Sequence, residues 1–472
     1  MPSQGRHPAR PPAAAIRRRR LLALLVAVTA VAAVVIALLA GSSGDEGPRK
    51  LVPGAGSGGE TRDPLAYTDD RREDFEARAA DGLSHPLYVK SPGGVVATAR
   101  RVEALRPLVE RAAGDEMDPD VLEAIVFLES AGRSDAMASD DLEGAVGLTQ
   151  ILAQTGSGLL GMRVDTAQSR RLTRKLGRTL DERRRDAIVR KRRQVDQRFD
   201  PEASLAATVR YIRFAKGKLS GRDDLAVVSY HMGVGNLQRA LSAYGEDDIP
   251  YAQLYFDSTP LRHADAWAIL ASLGDDSSTY LWRIRAAEQI MRTYREDPAA
   301  LARTALLQRC APSAERVLRP PSTPRFADPR ALRTDQLVLM DPPSLSSAGL
   351  RLGPTLSRRP EGERALRPEA FAVARYLGAG ARAIAKTEPL TVTAAARDVE
   401  TEGQRARGGD EALPSLHTTG YAFDLSRTYR SRAQAQALQF WLDRLTALDV
   451  IAWTRNADTI HVVAGPRAKD LV

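Results

Sequence analysis

The chain has 472 residues, too many for one hydrophobic core, and that length predicts about two or three domains. Its formal net charge of +9 invites a polyanion partner, but six arginines fall within the first twenty residues, and 9 − 6 leaves only +3 for the rest. That balance gives no reason to expect a nucleic-acid partner. The single cysteine, Cys310, excludes a disulfide within the chain and reads as a small buried apolar residue.

Residues 1–20 form a short basic tail ending in Arg17-Arg18-Arg19-Arg20, and residues 21–40, LLALLVAVTAVAAVVIALLA, are an unbroken apolar run. The run is long enough to span a bilayer. Leu38-Leu39-Ala40 makes a poor signal-peptidase site, so the segment predicts one transmembrane signal anchor rather than a cleaved peptide. The positive-inside rule keeps the arginines in the cytoplasm, which gives a single-pass cell-membrane protein with the bulk of its chain extracytoplasmic. Residues 41–66 are rich in Gly, Ser and Pro and read as a flexible tether.

Helical patterning is weak over Tyr67–Ala80 and clear over Val95–Ala113, where Val96, Val102, Leu105, Leu108 and Val109 share a face. The next helix has Asp118 as N-cap and Pro119 at its first position, carries Val121, Leu122, Ala124, Ile125 and Leu128 at helical spacing, and should end near Gly132. Glu129 then falls in the last turn. The negative end of the helix dipole and the apolar neighbours Phe127 and Leu128 both disfavour its ionised form, and a raised pKa suits a general acid.

After Glu129-Ser130 comes a loop and then Gly144-Ala145-Val146-Gly147-Leu148-Thr149-Gln150-Ile151. The pair resembles the soluble lytic transglycosylase (SLT) domain, with its E-S and G-A-x-G-L-[MT]-Q-[IL] motifs. The resemblance implies an all-α, lysozyme-like fold that needs no cofactor, with Glu129 as the single acid/base and Ser139 and Gln150 positioning the sugar. Further on, Tyr230-His231-Met232-Gly233-Val234-Gly235 resembles the family's Y-N-x-G-x-G motif, which implies a place for Tyr230 beside Glu129; His231 stands where the family has Asn. Between the motifs, residues 163–198 read as helical and strongly basic, a solvated face or a surface drawn to anionic envelope polymer or membrane. Ser278–Tyr294 reads as one more helix. This helical domain is placed at residues 67–310.

Five prolines between Pro312 and Pro329 mark a connector at 311–329, followed by a second domain at 330–472. There Leu390–Arg397 and Asp458–Val463 are strand-like. His417, Asp424 and His461 supply two imidazoles and a carboxylate, a three-ligand set for Zn²⁺ with a position left for water. The run Ser415 to Asp424 fits S-x-H-x-x-G-x-A-x-D and resembles the zinc D-Ala-D-Ala carboxypeptidase/dipeptidase family. The resemblance implies an α+β domain in which His417, Asp424 and His461 bind zinc, Asp458 is the general base, Arg397 stabilises the carbonyl oxygen and Ser415 lies in the substrate site.

The expected molecule is multidomain: a transmembrane helix, an all-α lysozyme-like domain, then an α+β zinc-peptidase-like domain. Both sites imply peptidoglycan, glycan strands for the first and stem peptides for the second. A lysozyme-type hydrolase is the alternative enzyme, and a membrane-anchored scaffold that holds wall polymer uncut is the alternative from another class. The sequence leaves the oligomeric state and the preferred peptide bond open.

Overall fold

A computed structural model describes residues 50–51, 53, 61–274, 276–308, 314–405 and 415–472. The basic tail, the apolar run 21–40, the greater part of the tether and Cys310 lie outside these residues. Among the described residues no helix is long and apolar enough to cross a membrane.

Residues 69–307 are helical. The Glu129 helix runs Pro119–Ser130 as expected: Asp118 accepts a hydrogen bond from the Asp120 amide, Pro119 occupies the first turn, and Ala131 takes the left-handed conformation that ends the helix. The helix expected over Val95–Ala113 is instead two, Val95–Glu103 and Arg106–Ala113. Pro107 is the reason, since it offers no amide hydrogen and is tolerated only in a first turn, where the second helix places it. The basic segment forms two helices, Thr166–Gly177 and Glu182–Val195, whose charged faces are largely exposed. Tyr280–Glu296 packs against the Glu129 helix and buries Tyr280, Leu281, Trp282 and Ile284 almost completely.

Residues 338–472 build a five-stranded sheet with spatial order Leu350–Leu352, Leu390–Ala394, Ala422–Ser426, Thr459–Ala464, Ile451–Arg455. The first pair is parallel and the others antiparallel. Helices Pro368–Ala385 and Arg432–Ala447 pack on one another and bury the apolar strand positions. The strand expected over Leu390–Arg397 ends at Ala394, where pairing with Ala422–Ser426 shifts register and the chain bends towards the His417 loop. The 311–329 connector is more than a linker, because Ala314–Leu318 is helical and lies against the 451–455 and 459–464 strands.

The two lobes share their packing. One hydrophobic core runs from Leu65 to Ala468 through both, and Leu51–Val472 forms one compact unit. Gly82, ending the Arg72–Gly82 helix, meets the Arg432–Ala447 helix so closely that a Cβ there would lie 2.0 Å from the Thr446 carbonyl oxygen. Arg444 reaches back across the contact. It donates to the Tyr255 and Ser258 carbonyls at 3.0 and 2.9 Å and lies among the rings of Tyr255, Phe256 and Phe440. Tyr376 donates to Asp63, 313 residues away.

Candidate active sites

Glu129 is half-buried at the end of its helix, and its Oε1 accepts a 2.8 Å hydrogen bond from the Tyr280 hydroxyl. Burial pushes its carboxyl up from 4.5 to about 7, against the opposing pull of the Tyr280 hydroxyl and the Arg283 guanidinium. No second carboxylate bears on its charge among the described residues. The acids of the neighbouring loop are exposed, and Asp141 is engaged by Arg170 and by the Glu143 amide.

Tyr230 lies within electrostatic reach of Glu129, and burial together with that negative charge holds its phenol well above the ordinary tyrosine range. Its hydroxyl donates to the Thr149 carbonyl at 2.7 Å, which ties the third motif to the second. His231 lies beside the Tyr280 ring, centroids 5.1 Å apart, with Nδ1 2.7 Å from the Ser277 hydroxyl. The residue at the unusual motif position therefore supports the hydroxyl that reaches Glu129. Gln150 spends its amide on the loop, donating to the Gly147 and Ala136 carbonyls. Ser139 is exposed and its hydroxyl accepts from the Asp141 amide, a local turn rather than a contact with Glu129.

Two residues of this site escape sequence reasoning. Tyr280 reads as one apolar position among several in its helix. Arg198, at the end of the basic segment, is fully buried, pairs with Asp196 at 2.9 Å and donates to the carbonyls of Leu142, Gly144 and Ile151. It clamps the GAVGLTQI loop from below. Gly147 (φ 84°) completes the fit, since a Cβ there would lie 1.7 Å from the Arg198 carbonyl oxygen.

In the sheet lobe Asp424 and His461 are directly opposite one another on adjacent antiparallel strands, which places His461 Nδ1 2.8 Å from Asp424 Oδ1. His417 comes from the 3₁₀ turn Leu416–Thr419, capped by the Ser415 hydroxyl and released by Gly420 at φ 76°. Its Nδ1 donates to the Ala395 carbonyl at 2.9 Å, which leaves Nε2, 3.2 Å from Asp424 Oδ1, as the nitrogen available to a metal. Each spacing in the ten-residue motif thus has a local reason.

The three ligand atoms lie within 4.8 Å of one another, and two imidazoles with a carboxylate suit Zn²⁺. Burial works to raise the Asp424 carboxyl, but hydrogen bonds from His417 and His461 hold it far below the carboxylate range. Burial lowers His417, whereas for His461 the opposing pull of Asp424 and Glu315 prevails over burial and pushes it up to about 9.

The structure leaves Asp458 outside this cluster. It is exposed in the turn just before the Thr459–Ala464 strand and is not one of the three grouped ligand residues. The carboxylate that reaches the cluster is Glu315, from the presumed connector, with Oε2 3.4 Å from His461 Nε2. Arg397 is close enough for its charge to depress His417 and donates from its amide to the His417 carbonyl, while its guanidinium is held by Glu402 at 2.9 and 3.0 Å.

A family model described as Transglycosylase SLT domain matches residues 178–252. The match takes in the Tyr230-His231 motif, Arg198 and the second basic helix, and begins after the Glu129 helix and its loop. It supports a lytic transglycosylase domain acting on peptidoglycan. No curated protein matches the chain.

Proposed function

We propose that the chain is a membrane-anchored peptidoglycan-processing enzyme: a lytic transglycosylase at Glu129 and a zinc-dependent peptidase for stem peptides at His417, Asp424 and His461. The observation that carries the first activity is a lone carboxyl with a pKa near 7, hydrogen-bonded by Tyr280, in a helical lobe with the transglycosylase match. Protonated Glu129 gives its proton to the glycosidic oxygen and the bond to the muramyl C1 breaks. The carboxylate then takes the proton of the C6 hydroxyl, whose oxygen closes on C1. The acid is regenerated, no water is consumed, and the product ends in a 1,6-anhydro sugar. Ordinary glycoside hydrolysis uses a second carboxylate at a set separation; among the described residues no carboxylate shifts Glu129, which is in keeping with the cyclisation.

The anchor rests on the apolar run 21–40 behind four arginines. The donor set fits Zn²⁺, and zinc bound there would supply Lewis-acid activation for hydrolysis of an amide. The protein's part is to hold that set: the Ala395 carbonyl fixes the His417 ring, strand pairing fixes Asp424 against His461, and Glu315 faces the far nitrogen of His461.

Mass spectrometry of fragments released from purified peptidoglycan by the detergent-solubilised full chain tests the glycan reading. Anhydro-ended products that disappear in Glu129→Gln, at least about 100-fold, are expected. Free reducing ends would establish a hydrolase, and no release by folded protein would establish a scaffold. Elemental analysis should find about one zinc per chain, lost in His417→Ala.

A further inference from the structure

The positive charge of the extracytoplasmic part of the chain is concentrated in one place. Arg163 to Arg198 hold fourteen basic residues and five acids, and 14 − 5 gives +9. Residues 21–472 carry only +3, so everything else in them amounts to 3 − 9, or −6. The helices Thr166–Gly177 and Glu182–Val195 pack on one another as a hairpin. Its base is closed by the Asp165 amide on the Val195 carbonyl and the Gln197 amide on the Arg163 carbonyl, both 2.9 Å. At the other end Arg185 donates to the Leu176 and Thr179 carbonyls at 3.0 and 2.9 Å, and Asp181 accepts from the Arg184 amide at 2.8 Å.

The turn fixed in this way presents Leu180, which is 94% exposed, more than any other large apolar side chain among the described residues. Arg171, Arg174, Lys175, Arg178, Arg183 and Arg184 flank it, are exposed, and form no ion pair among the described residues. Of the exposed cations in the segment only Arg170 reaches an acid, Asp141 at 3.4 Å.

A single exposed leucine is ordinary. One set at a hairpin turn among six unpaired cations calls for a surface that is anionic and apolar together. Like charges so close repel one another, and an anionic surface relieves that repulsion. Twelve of the fourteen basic residues are arginine, whose planar guanidinium takes two phosphate oxygens at once. A dissolved polyphosphate would satisfy the cations and leave Leu180 in water. A bilayer with anionic phospholipid offers phosphates in the headgroup plane and hydrocarbon directly beneath them.

We propose that the 166–195 hairpin docks on anionic phospholipid, with Leu180 entering the acyl boundary and the surrounding arginines on headgroup phosphates. Because the base of the hairpin runs into Arg198, which clamps the GAVGLTQI loop, this contact would hold the helical lobe against the bilayer. The proposal rests on the anchored reading only for bringing the lobe to a membrane, and on neither catalytic assignment.

The test uses the full chain carrying Cys310→Ser and Leu180→Cys, labelled at position 180 with an environment-sensitive nitrobenzoxadiazole fluorophore. It is reconstituted with vesicles of phosphatidylcholine alone or with about one-third phosphatidylglycerol. Flotation reads whether the chain is membrane-bound, and the fluorophore reads the hairpin. Emission should be blue-shifted and at least about two-fold stronger with the anionic vesicles. It should return to the phosphatidylcholine level when salt rises from about 0.1 to about 1 M, where the screening length falls from about 10 to about 3 Å. Arg183→Glu with Arg184→Glu, at exposed positions, should abolish the response with an unchanged circular-dichroism spectrum, while Arg183→Lys with Arg184→Lys should retain most of it. Equal emission with the two kinds of vesicle overturns the proposal. So does a response that soluble poly(glycerol phosphate) at equal phosphate concentration removes, which would assign the hairpin to a wall polymer instead. Failure to float with phosphatidylcholine vesicles, with the anionic response intact, sinks the anchor alone; flotation with both kinds and no response sinks the hairpin contact alone.

Discussion

Glu129 sits between two opposing influences, burial that protonates it and the Tyr280 hydroxyl that favours its anion. The first chemical step needs the protonated form, so kcat/KM should be flat below about pH 7 and fall ten-fold per pH unit above it. Tyr280→Phe removes a group that lowers the pKa, and the falling limb should move to higher pH while the fold persists; a pH–rate series on the two proteins checks this. At the other site Glu315 faces the far nitrogen of a proposed ligand, so Glu315→Gln should weaken zinc binding by about 10- to 100-fold. Asp458→Asn, exposed in a turn, should leave zinc affinity unchanged in a competition titration. The grouping of His417, Asp424 and His461 and the helix-end position of Glu129 were legible because each residue lies in a short motif whose spacing is local chemistry. Tyr280 and Glu315 were not, since they lie 151 and 146 residues from their partners and nothing beside either marks it as different from an ordinary helical residue.

Single elements carry the next layer of argument. The GAVGLTQI loop has the right residues to turn, but its shape is held by Arg198, whose partners lie 47 to 56 residues away. A buried arginine with its own counter-ion and three carbonyls is costly to truncate: Arg198→Ala strands Asp196 and should destabilise the helical lobe by about 3–5 kcal/mol. Urea denaturation measures the loss, and hydrogen exchange should show residues 142–151 deprotected first. The composition of 163–198 concealed this role, because a run of arginines reads as solvated and most of these are, while the last is fully buried. Helix ends fared better. Asp118-Pro119 marked the start of the Glu129 helix, and the break at Pro107 follows from the same rules of amide supply, although the apolar spacing across it predicted continuity.

For the molecule as a whole, the Pro-rich stretch marked a connector between two domains, and the lobes on either side share a core whose contacts pair residues as distant as Asp63 and Tyr376. Such pairings leave no periodicity to read. Equilibrium unfolding should therefore show one transition with coincident fluorescence and circular-dichroism midpoints. At the same boundary Asp449, near Asp81 and Arg467, is pushed by burial up to about 6. The folded state thus binds the extra proton between its ordinary value of 3.8 and about 6, and stability is lost as pH rises through that window, on the order of 2–3 kcal/mol in full. Asp449→Asn, whose backbone at φ 55° suits asparagine, should be more stable at pH 7 and should flatten the profile.

Gly82 has a consequence beyond packing. Because backbone meets backbone there, the packing at Gly82 helps to set the offset between Glu129 and the His417–Asp424–His461 cluster. On the proposed function, a wall strand seated at Glu129 would present stems to His417, Asp424 and His461 at a set phase of its own repeat, as a gauge with locked jaws accepts one span. On that reading Gly82→Leu, by wedging the contact open, should release the phase: doubly processed fragments, expected to be narrow in length from the native protein, should broaden, while each proposed activity assayed alone on a short substrate persists.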